Sequence, residues 1–379
     1  MNPRALVSRL LEWFARNARD LPWRRTQDPY AIWVSEIMLQ QTQVKTVLPY
    51  WSRWMEELPN LTAVASAKPE RLHKLWEGLG YYTRVRNLQR AAQLIVQVHG
   101  STFPRSFEEI LALPGIGRYT AGAIVSIAFN QPKPILDGNV MRLLSRAYGI
   151  EGNPREPKTS AKLWHMADLL IKEAAAGCRP RNRHRTSQTG RERANIDRPC
   201  SALNQALMEL GALVCTPKQP RCTECPISRL CVACRQDRVH ELPAMARRPR
   251  TTQRRFAAFI AQRDGRLLVR QRPAGVVNAH LWEFPNTELA EPALIARDRR
   301  KSSLHQAALK ELGWRPGMME LLCTIKHSIT RYRISLDAYR VEPNGQATVA
   351  KPANRWLTPK QMQRLAFTSA HKQVLQRAL

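Results

Sequence analysis

The stretch Leu113-Pro114-Gly115-Ile116-Gly117-Arg118-Tyr119-Thr120-Ala121 lies between two segments whose apolar residues recur with helical spacing. Gly115 and Gly117 permit a tight turn, and the backbone N–H groups that open the next helix can point at a phosphate oxygen. A Pro-Gly-x-Gly turn would equally suit an ordinary connection between helices. The stretch therefore predicts a helical hairpin, and phosphate binding depends on what surrounds it.

A carboxylate follows this turn at a distance of about twenty residues. The sequence Ile135-Leu136-Asp137-Gly138-Asn139-Val140 precedes a segment, Val140 to Tyr148, with helical spacing. Asp is a favoured N-cap residue because its side chain can accept a backbone N–H of the first turn. Taken alone, Asp137 is therefore predicted to cap a helix.

Four cysteines, Cys215, Cys222, Cys225 and Cys231, form the pattern C-x6-C-x2-C-x5-C. Four cysteines in one short segment are typical of zinc sites and of iron–sulfur clusters. Cys231 and Cys234 would supply the second knuckle of a zinc ribbon. The five residues between the knuckles are short for that fold, and Cys215 would have no role in it.

The chain of 379 residues carries 60 Lys and Arg against 30 Asp and Glu, a formal net charge of +30. Such an excess favours a polyanionic partner, although a basic surface can also simply maintain solubility. No apolar run reaches the roughly 20 residues of a membrane helix, and no signal-peptide core precedes the first helical segment. We expect a soluble, intracellular protein, with cysteines that serve as metal ligands or free thiols.

The pattern of the chain changes along its length. Residues 1–234 are predicted to be mostly helical, with amphipathic segments such as Arg71–Val98, and residues 235–252 form a linker rich in Arg and Pro. Strand-like runs around the turn Asp264-Gly265 then predict a separate α+β domain over residues 253–379. Within the first part, the stretch 178–200 has seven arginines and almost nothing apolar. It can be a solvated loop, a DNA-contacting arm, or a loop closed by a Cys178–Cys200 disulfide.

A third motif joins these features. Leu21-Pro22-Trp23-Arg24 is followed by PYAIWVSEIMLQQTQV (29–44) and, later, by LWEGLGYY (75–82). With the hairpin, Asp137 and the cysteine loop in this order, the chain resembles the MutY-type adenine DNA glycosylases of the helix-hairpin-helix superfamily. The resemblance covers residues 5 to about 177, 201–234 and, more loosely, 253–379. It implies a mainly α N-terminal part of two helical subdomains with an iron–sulfur loop, and a C-terminal α+β Nudix-like domain.

The resemblance also implies a chemistry for two carboxyl groups. Glu36, which alone would be expected on the surface, becomes a general acid that protonates N7 of a flipped-out adenine; its apolar and aromatic neighbours should raise its pKa. Asp137 would remain ionised and either stabilise the oxocarbenium-like sugar or trap it covalently, held by Asn139 and Tyr119.

Further residues are carried over from the family by position. Trp23, Arg24 and Leu39 would line the adenine pocket, and Gln41 and Tyr81 would wedge into the base stack beside the base opposite the adenine. Gly115 and Gly117 would bind the DNA backbone. Cys215, Cys222, Cys225 and Cys231 would hold one 4Fe–4S cluster, with Cys234 as a bystander.

The position after Arg118 separates the chemistries of the superfamily. Bifunctional endonuclease III-like enzymes carry a lysine there that forms a Schiff base, whereas this chain has Tyr119. Tyr119 therefore predicts a monofunctional glycosylase. The resemblance implies a cytoplasmic, nucleoid-associated bacterial enzyme, a monomer without membrane contact, that acts on double-stranded DNA with A:8-oxoguanine or A:G pairs. The alternatives are a glycosylase-lyase for oxidised pyrimidines and a DNA-binding protein without activity.

The C-terminal domain lacks the ligands of a Nudix hydrolase. Trp282-Glu283-Phe284-Pro285 resembles the entry to that fold, but the magnesium box reads QAALKELG (306–313), in which only Glu311 is acidic. The domain is instead similar to the 8-oxoguanine recognition domain of the family. Where the family has a Phe-Ser-His loop, this chain has Ile329-Thr330-Arg331: Thr330 keeps a hydroxyl that can contact the lesion, and Arg331 adds a fixed charge. This departure leaves open how strongly 8-oxoguanine is preferred over guanine.

Overall fold

The protein is described by a computed structural model that covers residues 2–177, 197–244, 251–289, 297–329, 331–343 and 353–379. Its contacts divide the chain into two compact units. The first comprises Met1–Ser66 with Asn87–Arg247, and the second comprises Ala67–Arg86 with Arg248–Leu379. Most of the arginine-rich insertion, together with Thr330, lies outside the described residues.

The first unit is helical, as the sequence predicts. In chain order, the helices up to residue 235 are α1 (Pro3–Asn17), α2 (Pro29–Leu39), α3 (Val44–Glu57), α4 (Leu61–Ser66), α5 (Pro69–Leu75), α6 (Thr83–Val98), α7 (Phe107–Leu111), α8 (Arg118–Phe129), α9 (Gly138–Tyr148), α10 (Pro157–Ala175), α11 (Pro199–Leu213) and α12 (Val232–Arg235). Short 3-10 turns cover Pro22–Arg24 and Cys222–Glu224. In the described part of the chain, no helix is both long and apolar enough to cross a membrane.

One segment that the sequence predicts as a single helix is interrupted in the structure. The segment Arg71–Val98 divides into α5 and α6, because Gly78 (φ 109°) and Gly80 (φ 72°) between them take left-handed backbone conformations. A helix cannot continue through such residues. The sequence LWEGLGYY therefore forms a loop.

The core of the first unit explains where the candidate site lies. Helix α1 buries Leu6, Leu10 and Phe14, which share one face, against helices α8 to α11. Helix α11 lies deep in this core. Its Gly211 permits close approach to α9, because a Cβ atom there would stand 2.8 Å from the Cβ of Asn139. The starts of α8 and α9, and one side of α11, are thereby brought near α2.

The second unit is built on a mixed sheet. Its strands are β1 (Thr252–Arg263), β2 (Arg266–Gln271), β3 (Trp282–Glu283), β4 (Asn286–Leu289), β5 (Pro316–Ile329), β6 (Tyr332–Pro343) and β7 (Asn354–Leu357). The order is β3-β2-β1-β6-β5, with β4 paired to β1 and β7 to β2; β1 and β6 run parallel and the other pairs antiparallel. The predicted turn Asp264-Gly265 connects β1 to β2.

Alternation along β1 places a core on each face of this sheet. Phe259 packs on one face with residues of α13 (Arg297–Leu312), and Ile260 packs on the other with residues of α14 (Pro359–Met362) and α15 (Ser369–Ala378). Strands and helices of this kind confirm the α+β class of the C-terminal domain.

Candidate active site

A cavity of about 880 Å³ lies in the first unit. Residues from α2, from the starts of α8 and α9, and from α11 form its walls. The structure brings together in this cavity the four candidate catalytic residues, the three residues of the expected adenine pocket and one expected wedge residue: Glu36, Asp137, Tyr119, Asn139, Trp23, Arg24, Leu39 and Gln41.

Glu36 lies on α2 with only 6% of its surface exposed. Its Oε2 accepts a hydrogen bond of 2.8 Å from the Tyr119 hydroxyl. Loss of water contact raises the pKa of Glu36 from its ordinary 4.5 to about 7; the Tyr119 hydrogen bond opposes this rise and the charge of Asp137 adds to it. A protonated carboxyl group is therefore available in the cavity near neutral pH.

Asp137 caps α9, as the sequence predicts. Its Oδ1 accepts from the Val140 N–H at 2.8 Å and its Oδ2 from the Asn139 amide at 3.0 Å. Burial raises the pKa of Asp137, while these hydrogen bonds and the Arg142 charge favour the ionised form. The expected partnership with Asn139 is present, whereas the Tyr119 hydroxyl donates to Glu36 instead.

Arg142 connects this helix start to the cysteine loop. Its guanidinium donates to the Asn139 side-chain oxygen at 2.9 Å, to the Gly211 carbonyl at 2.7 Å and to the Cys215 carbonyl at 2.7 Å. The orientation of Asn139, and through it that of Asp137, is thus fixed by contacts from two other segments.

Glu209, on α11, is a cavity residue that the sequence analysis missed. Its side chain is 1% exposed and accepts bidentate hydrogen bonds from both Arg19 (2.6–2.8 Å) and Arg24 (2.9–3.0 Å). Burial disfavours its charge, but the hydrogen bonds from the two arginines outweigh burial and lower its pKa to about 2. An ionised Glu209 therefore holds Arg24 at the cavity wall. A lone carboxylate in the apolar run ALMELGAL was the available signal.

The two hairpin glycines lie in the turn that precedes α8, as the sequence predicts. Gly115 (φ 79°) is left-handed, and a Cβ atom there would stand 2.6 Å from the Asn87 Cβ. Gly117 is the N-cap of α8, and a Cβ atom there would meet nothing within 4 Å. Both glycines are exposed. The helix start is therefore accessible to a ligand such as a phosphate.

The two expected wedge residues share a backbone feature. Gln41 (φ 57°) and Tyr81 (φ 49°) are non-glycine residues in the left-handed region, and Tyr81 is 50% exposed. Such conformations cost on the order of 1–3 kcal/mol and are concentrated at functional positions. Gln41 lines the cavity of the first unit, and Tyr81 belongs to the second unit.

The four cysteines of the pattern, together with Cys234, line one small cavity in the first unit. Burial raises the pKa of the Cys222, Cys225 and Cys231 thiols, and neighbouring cysteine charges raise each of them further. In the described ranges, no group of three or more His, Cys, Asp or Glu side chains is arranged to hold a metal ion. The thiols would need a bound cation to ionise at neutral pH.

Arg146 borders the same cysteine cavity and is 2% exposed. Its guanidinium donates to Sγ of Cys215 at 3.3 Å and to the carbonyls of Leu242 (2.8 Å), Thr216 (2.8 Å) and Pro217 (3.2 Å). Among the described residues, none of these acceptors is a carboxylate. The buried guanidinium places a positive charge at the wall of this cavity, which suits a metal centre that has a net negative charge once its thiolate ligands are counted.

In the second unit, the remaining acidic residue of the degenerate box is engaged. Glu311 accepts from Arg270 at 2.5 Å, and Arg270 also pairs with Glu283 at 2.9 Å. Arg331, beside Thr330 in the expected lesion loop, donates to the Tyr332 hydroxyl at 3.1 Å. Thr330 itself lies outside the described residues, so its role stays a prediction.

Two family models match separate parts of the chain. Residues 34–168 match the model described as HhH-GPD superfamily base excision DNA repair protein, and residues 256–377 match the NUDIX domain model. A solved structure of a thermostable thymine-DNA glycosylase is 26% identical, with a TM-score of 0.51, over 62% of this chain and 97% of that chain.

Similar proteins extend over most of the chain. The adenine DNA glycosylase of Mus musculus is 34% identical over 98% of this chain and 77% of its own length. That of Homo sapiens is 33% identical over 96% and 72%, and that of Buchnera aphidicola subsp. Schizaphis graminum is 33% identical over 73% of each chain. With this extent of identity, the chain belongs to the adenine DNA glycosylase family, DNA N-glycosylase hydrolases of base excision repair.

Proposed function

We propose that the protein hydrolyses the N-glycosidic bond of adenine paired with 8-oxoguanine or guanine in double-stranded DNA, without efficient strand cleavage. The observation that carries this proposal is the juxtaposition of a buried, proton-holding Glu36 and a helix-capping Asp137 in one cavity. Adenine leaves a sugar only if its ring is protonated while positive charge develops on the sugar. The two carboxyl groups suit these two tasks.

Glu36 acts as the general acid in this proposal. The adenine nucleotide, turned out of the duplex, enters the cavity and accepts the Glu36 proton at N7. The Tyr119 hydroxyl, at 2.8 Å from Oε2, orients the carboxyl group. The pKa of about 7 keeps a large fraction of Glu36 protonated near neutral pH while leaving it acidic enough to donate.

Asp137 acts on the sugar. Its two oxygens accept hydrogen bonds from the Val140 N–H and the Asn139 amide. The carboxylate is therefore already oriented before positive charge develops on the sugar. It stabilises the oxocarbenium-like sugar or adds to its anomeric carbon to form a covalent intermediate, which water then hydrolyses.

The adenine ring is bound by the neighbouring walls of the cavity. Trp23 is buried and packs edge-on against Trp51 at 5.8 Å, while Arg24 is fixed by Glu209. Leu39 adds an apolar wall at the end of α2. An aromatic face, an aliphatic side chain and an oriented guanidinium suit a planar base with ring nitrogens that accept hydrogen bonds.

The monofunctional character rests on Tyr119. Tyr119 has a phenol and no amine, so it cannot form the Schiff base that a lysine forms at this position in lyases; its hydroxyl instead donates a hydrogen bond to Glu36. Lys45 also lines the cavity but belongs to the first turn of α3 and not to the start of α8, where lyases carry their lysine. Borohydride trapping of an enzyme–DNA adduct, lost in Lys45→Ala, would assign it a lyase role and contradict this part of the proposal.

DNA binding in this proposal uses both units. Backbone N–H groups of the Gly115–Gly117 turn, at the start of α8, donate to a DNA phosphate. Gln41 and Tyr81 enter the base stack next to the base opposite adenine. The Nudix-like domain reads that base, with Thr330 as the candidate contact to 8-oxoguanine. Its Glu311 is occupied by Arg270, so magnesium-dependent pyrophosphate hydrolysis is not part of the proposal.

We further propose that Cys215, Cys222, Cys225 and Cys231 hold one 4Fe–4S cluster. The convergence of these side chains on one cavity and the buried Arg146 beside Cys215 fit an anionic cluster. A zinc ribbon built on Cys222-x2-Cys225 and Cys231-x2-Cys234 is disfavoured, because only five residues separate the two knuckles and Cys215 would have no role. The cluster, when bound, supplies a structural tie that orders the basic loop between Cys215 and Cys231.

The test is single-turnover base release from duplexes with one A:8-oxoguanine, A:G or A:T pair. We expect adenine release from the first two and none from A:T, with strand breaks visible only after alkali. Strand breaks without alkali would overturn the monofunctional proposal. Tight binding of the mismatched duplexes without base release would indicate a DNA-binding protein instead.

A further inference from the structure

The segment Ala67–Arg86 belongs to the second unit, although the sequence on both sides of it belongs to the first. This segment contains α5 and the loop that presents Tyr81. The contacts that join it to the Nudix-like domain are therefore internal to one compact unit.

Glu77 is the centre of these contacts. It is 8% exposed, and its Oε1 accepts from the Phe367 backbone N–H at 2.9 Å. Its Oε2 accepts from the ammonium groups of Lys372 at 2.7 Å and of Lys74 at 2.9 Å. Lys74 also donates to the Leu365 carbonyl at 3.0 Å.

Glu77 favours its ionised form, which suits a lasting connection; the bonds of Glu77 to Phe367 and Lys372 are called the tie below. Burial disfavours its charge, but hydrogen bonds from Lys372, the Phe367 N–H and Lys74 together hold its pKa below the ordinary value. A carboxylate that bonds three donors in a mostly buried position is costly to disengage, because each donor would lose a charged partner.

The loop that follows Glu77 is clamped by its own neighbours. The Trp76 indole donates to the Gly80 carbonyl at 3.1 Å, and the Arg84 guanidinium donates to the Leu79 and Gly80 carbonyls at 3.0 Å each. Arg84 also stands 5.7 Å from the centre of the Tyr81 ring. These contacts hold Tyr81 in its left-handed conformation with the ring half-exposed.

We infer that Glu77 is a positioning residue: its bonds to Phe367 and Lys372 make the Tyr81 loop part of the Nudix-like domain, so that recognition of the base opposite adenine and insertion of Tyr81 are coupled. This inference rests on the proposed function of both elements. Without the Glu77 bonds, the segment would keep weaker contacts to that domain, such as those of Lys74 with Leu365 and Arg86 with Ala279. The base opposite adenine would then influence adenine release less.

The test compares wild type with Glu77→Gln in the full-length protein. Adenine release from A:8-oxoguanine and A:G duplexes is measured at limiting enzyme and corrected for the active fraction. We expect the preference for 8-oxoguanine to fall about tenfold, a size typical of coupling between sites. Amide hydrogen exchange of residues 78–81 should become faster in the same variant.

Two further variants separate positioning from folding. Lys372→Met removes the partly exposed ammonium group that bonds Glu77 and should also reduce the preference for 8-oxoguanine. Combining it with Glu77→Gln should cause no additional loss of that preference. Glu283→Gln is the matched control: Glu283 is also buried in the same unit, at 2% exposed against 8% for Glu77, but it pairs with Arg270 and Arg272. This replacement should lower the active fraction of the enzyme and leave the ratio of the adenine release rates on the two duplexes unchanged.

The outcomes distinguish this inference from the proposed function. A preserved preference and unchanged exchange in folded Glu77→Gln would overturn the coupling alone, as would an equal loss of preference in Glu283→Gln. Equal wild-type rates on the two duplexes would overturn the proposed 8-oxoguanine preference and the coupling with it. An absence of adenine release in wild type would overturn the proposed reaction, and the exchange measurement would still test the tie.

Discussion

Replacement of Glu36 by Gln should stabilise the protein at alkaline pH while it removes activity. The folded protein raises the pKa of Glu36 from 4.5 to about 7, which means that the fold resists ionisation of this group. At about 1.4 kcal/mol per tenfold change in proton affinity, the free energy of unfolding is lowered by about 3 kcal/mol once Glu36 is ionised. Gln keeps the shape and an acceptor for Tyr119 but has no proton to lose.

The sign of the effect fixes its pH window. Below about pH 4.5 both the folded and unfolded states hold the Glu36 proton, and the contribution to stability is fully present. As the pH rises, the unfolded chain loses this proton first, and the contribution is completely lost above about pH 7. The advantage of Glu36→Gln should therefore be about 1 kcal/mol near pH 5 and about 3 kcal/mol near pH 8.5.

The assay is denaturant unfolding of both proteins at these two pH values, followed by tryptophan fluorescence, to which the fully buried Trp33 and Trp54 contribute. Glu209→Gln is the control, because the pKa of Glu209 is lowered to about 2 and its replacement should destabilise the protein at both pH values. Equal stability of wild type and Glu36→Gln near pH 8.5 would refute the assignment of a raised pKa to this site.

Four further outcomes follow from the same geometry. Asp137→Asn should keep the cap of α9 and duplex binding, yet slow adenine release by about 10²–10³-fold in single-turnover assays. Glu209→Gln leaves two arginines without their carboxylate and should lower the free energy of unfolding by about 2 kcal/mol or more, measured by denaturant unfolding, while raising KM. The rate of adenine release should decline above about pH 7 as Glu36 ionises, seen as the alkaline limb of kcat/KM; a flat profile to pH 9 would exclude Glu36 as the acid. Cys225→Ser should lose bound iron and sulfide, whereas Cys234→Ser should retain both, as analysis of the purified proteins will show.

The sequence predicted those parts of the site that local motifs specify. The hairpin, the cap at Asp137 and the mixed α+β domain follow from turn residues, capping preference and alternation, which act over a few residues. Glu36 was predicted in a different way, from the long match of segment 29–44 to the family. The structure places Glu36, Tyr119 and Asp137 in one cavity.

Features that depend on distant partners were not predictable in this way. Glu209 meets Arg19 from 190 residues away, and Tyr119 reaches Glu36 from 83 residues away rather than bonding Asp137. The left-handed backbone of Tyr81 likewise has no signature in a non-glycine residue. Only the tertiary fold determines such contacts, so sequence reasoning assigned Tyr119 a neighbouring carboxylate but selected the wrong one as its hydrogen-bond partner.

The most direct test of the central claim is single-turnover adenine release from an A:8-oxoguanine duplex by wild type and Glu36→Gln, with duplex binding measured in parallel. Loss of one positioned general acid is expected to slow release by about 10²–10⁴-fold while binding persists. That result would establish both the reaction and the acid. Adenine release by Glu36→Gln at the wild-type rate would contradict the account, because another group would then protonate the base.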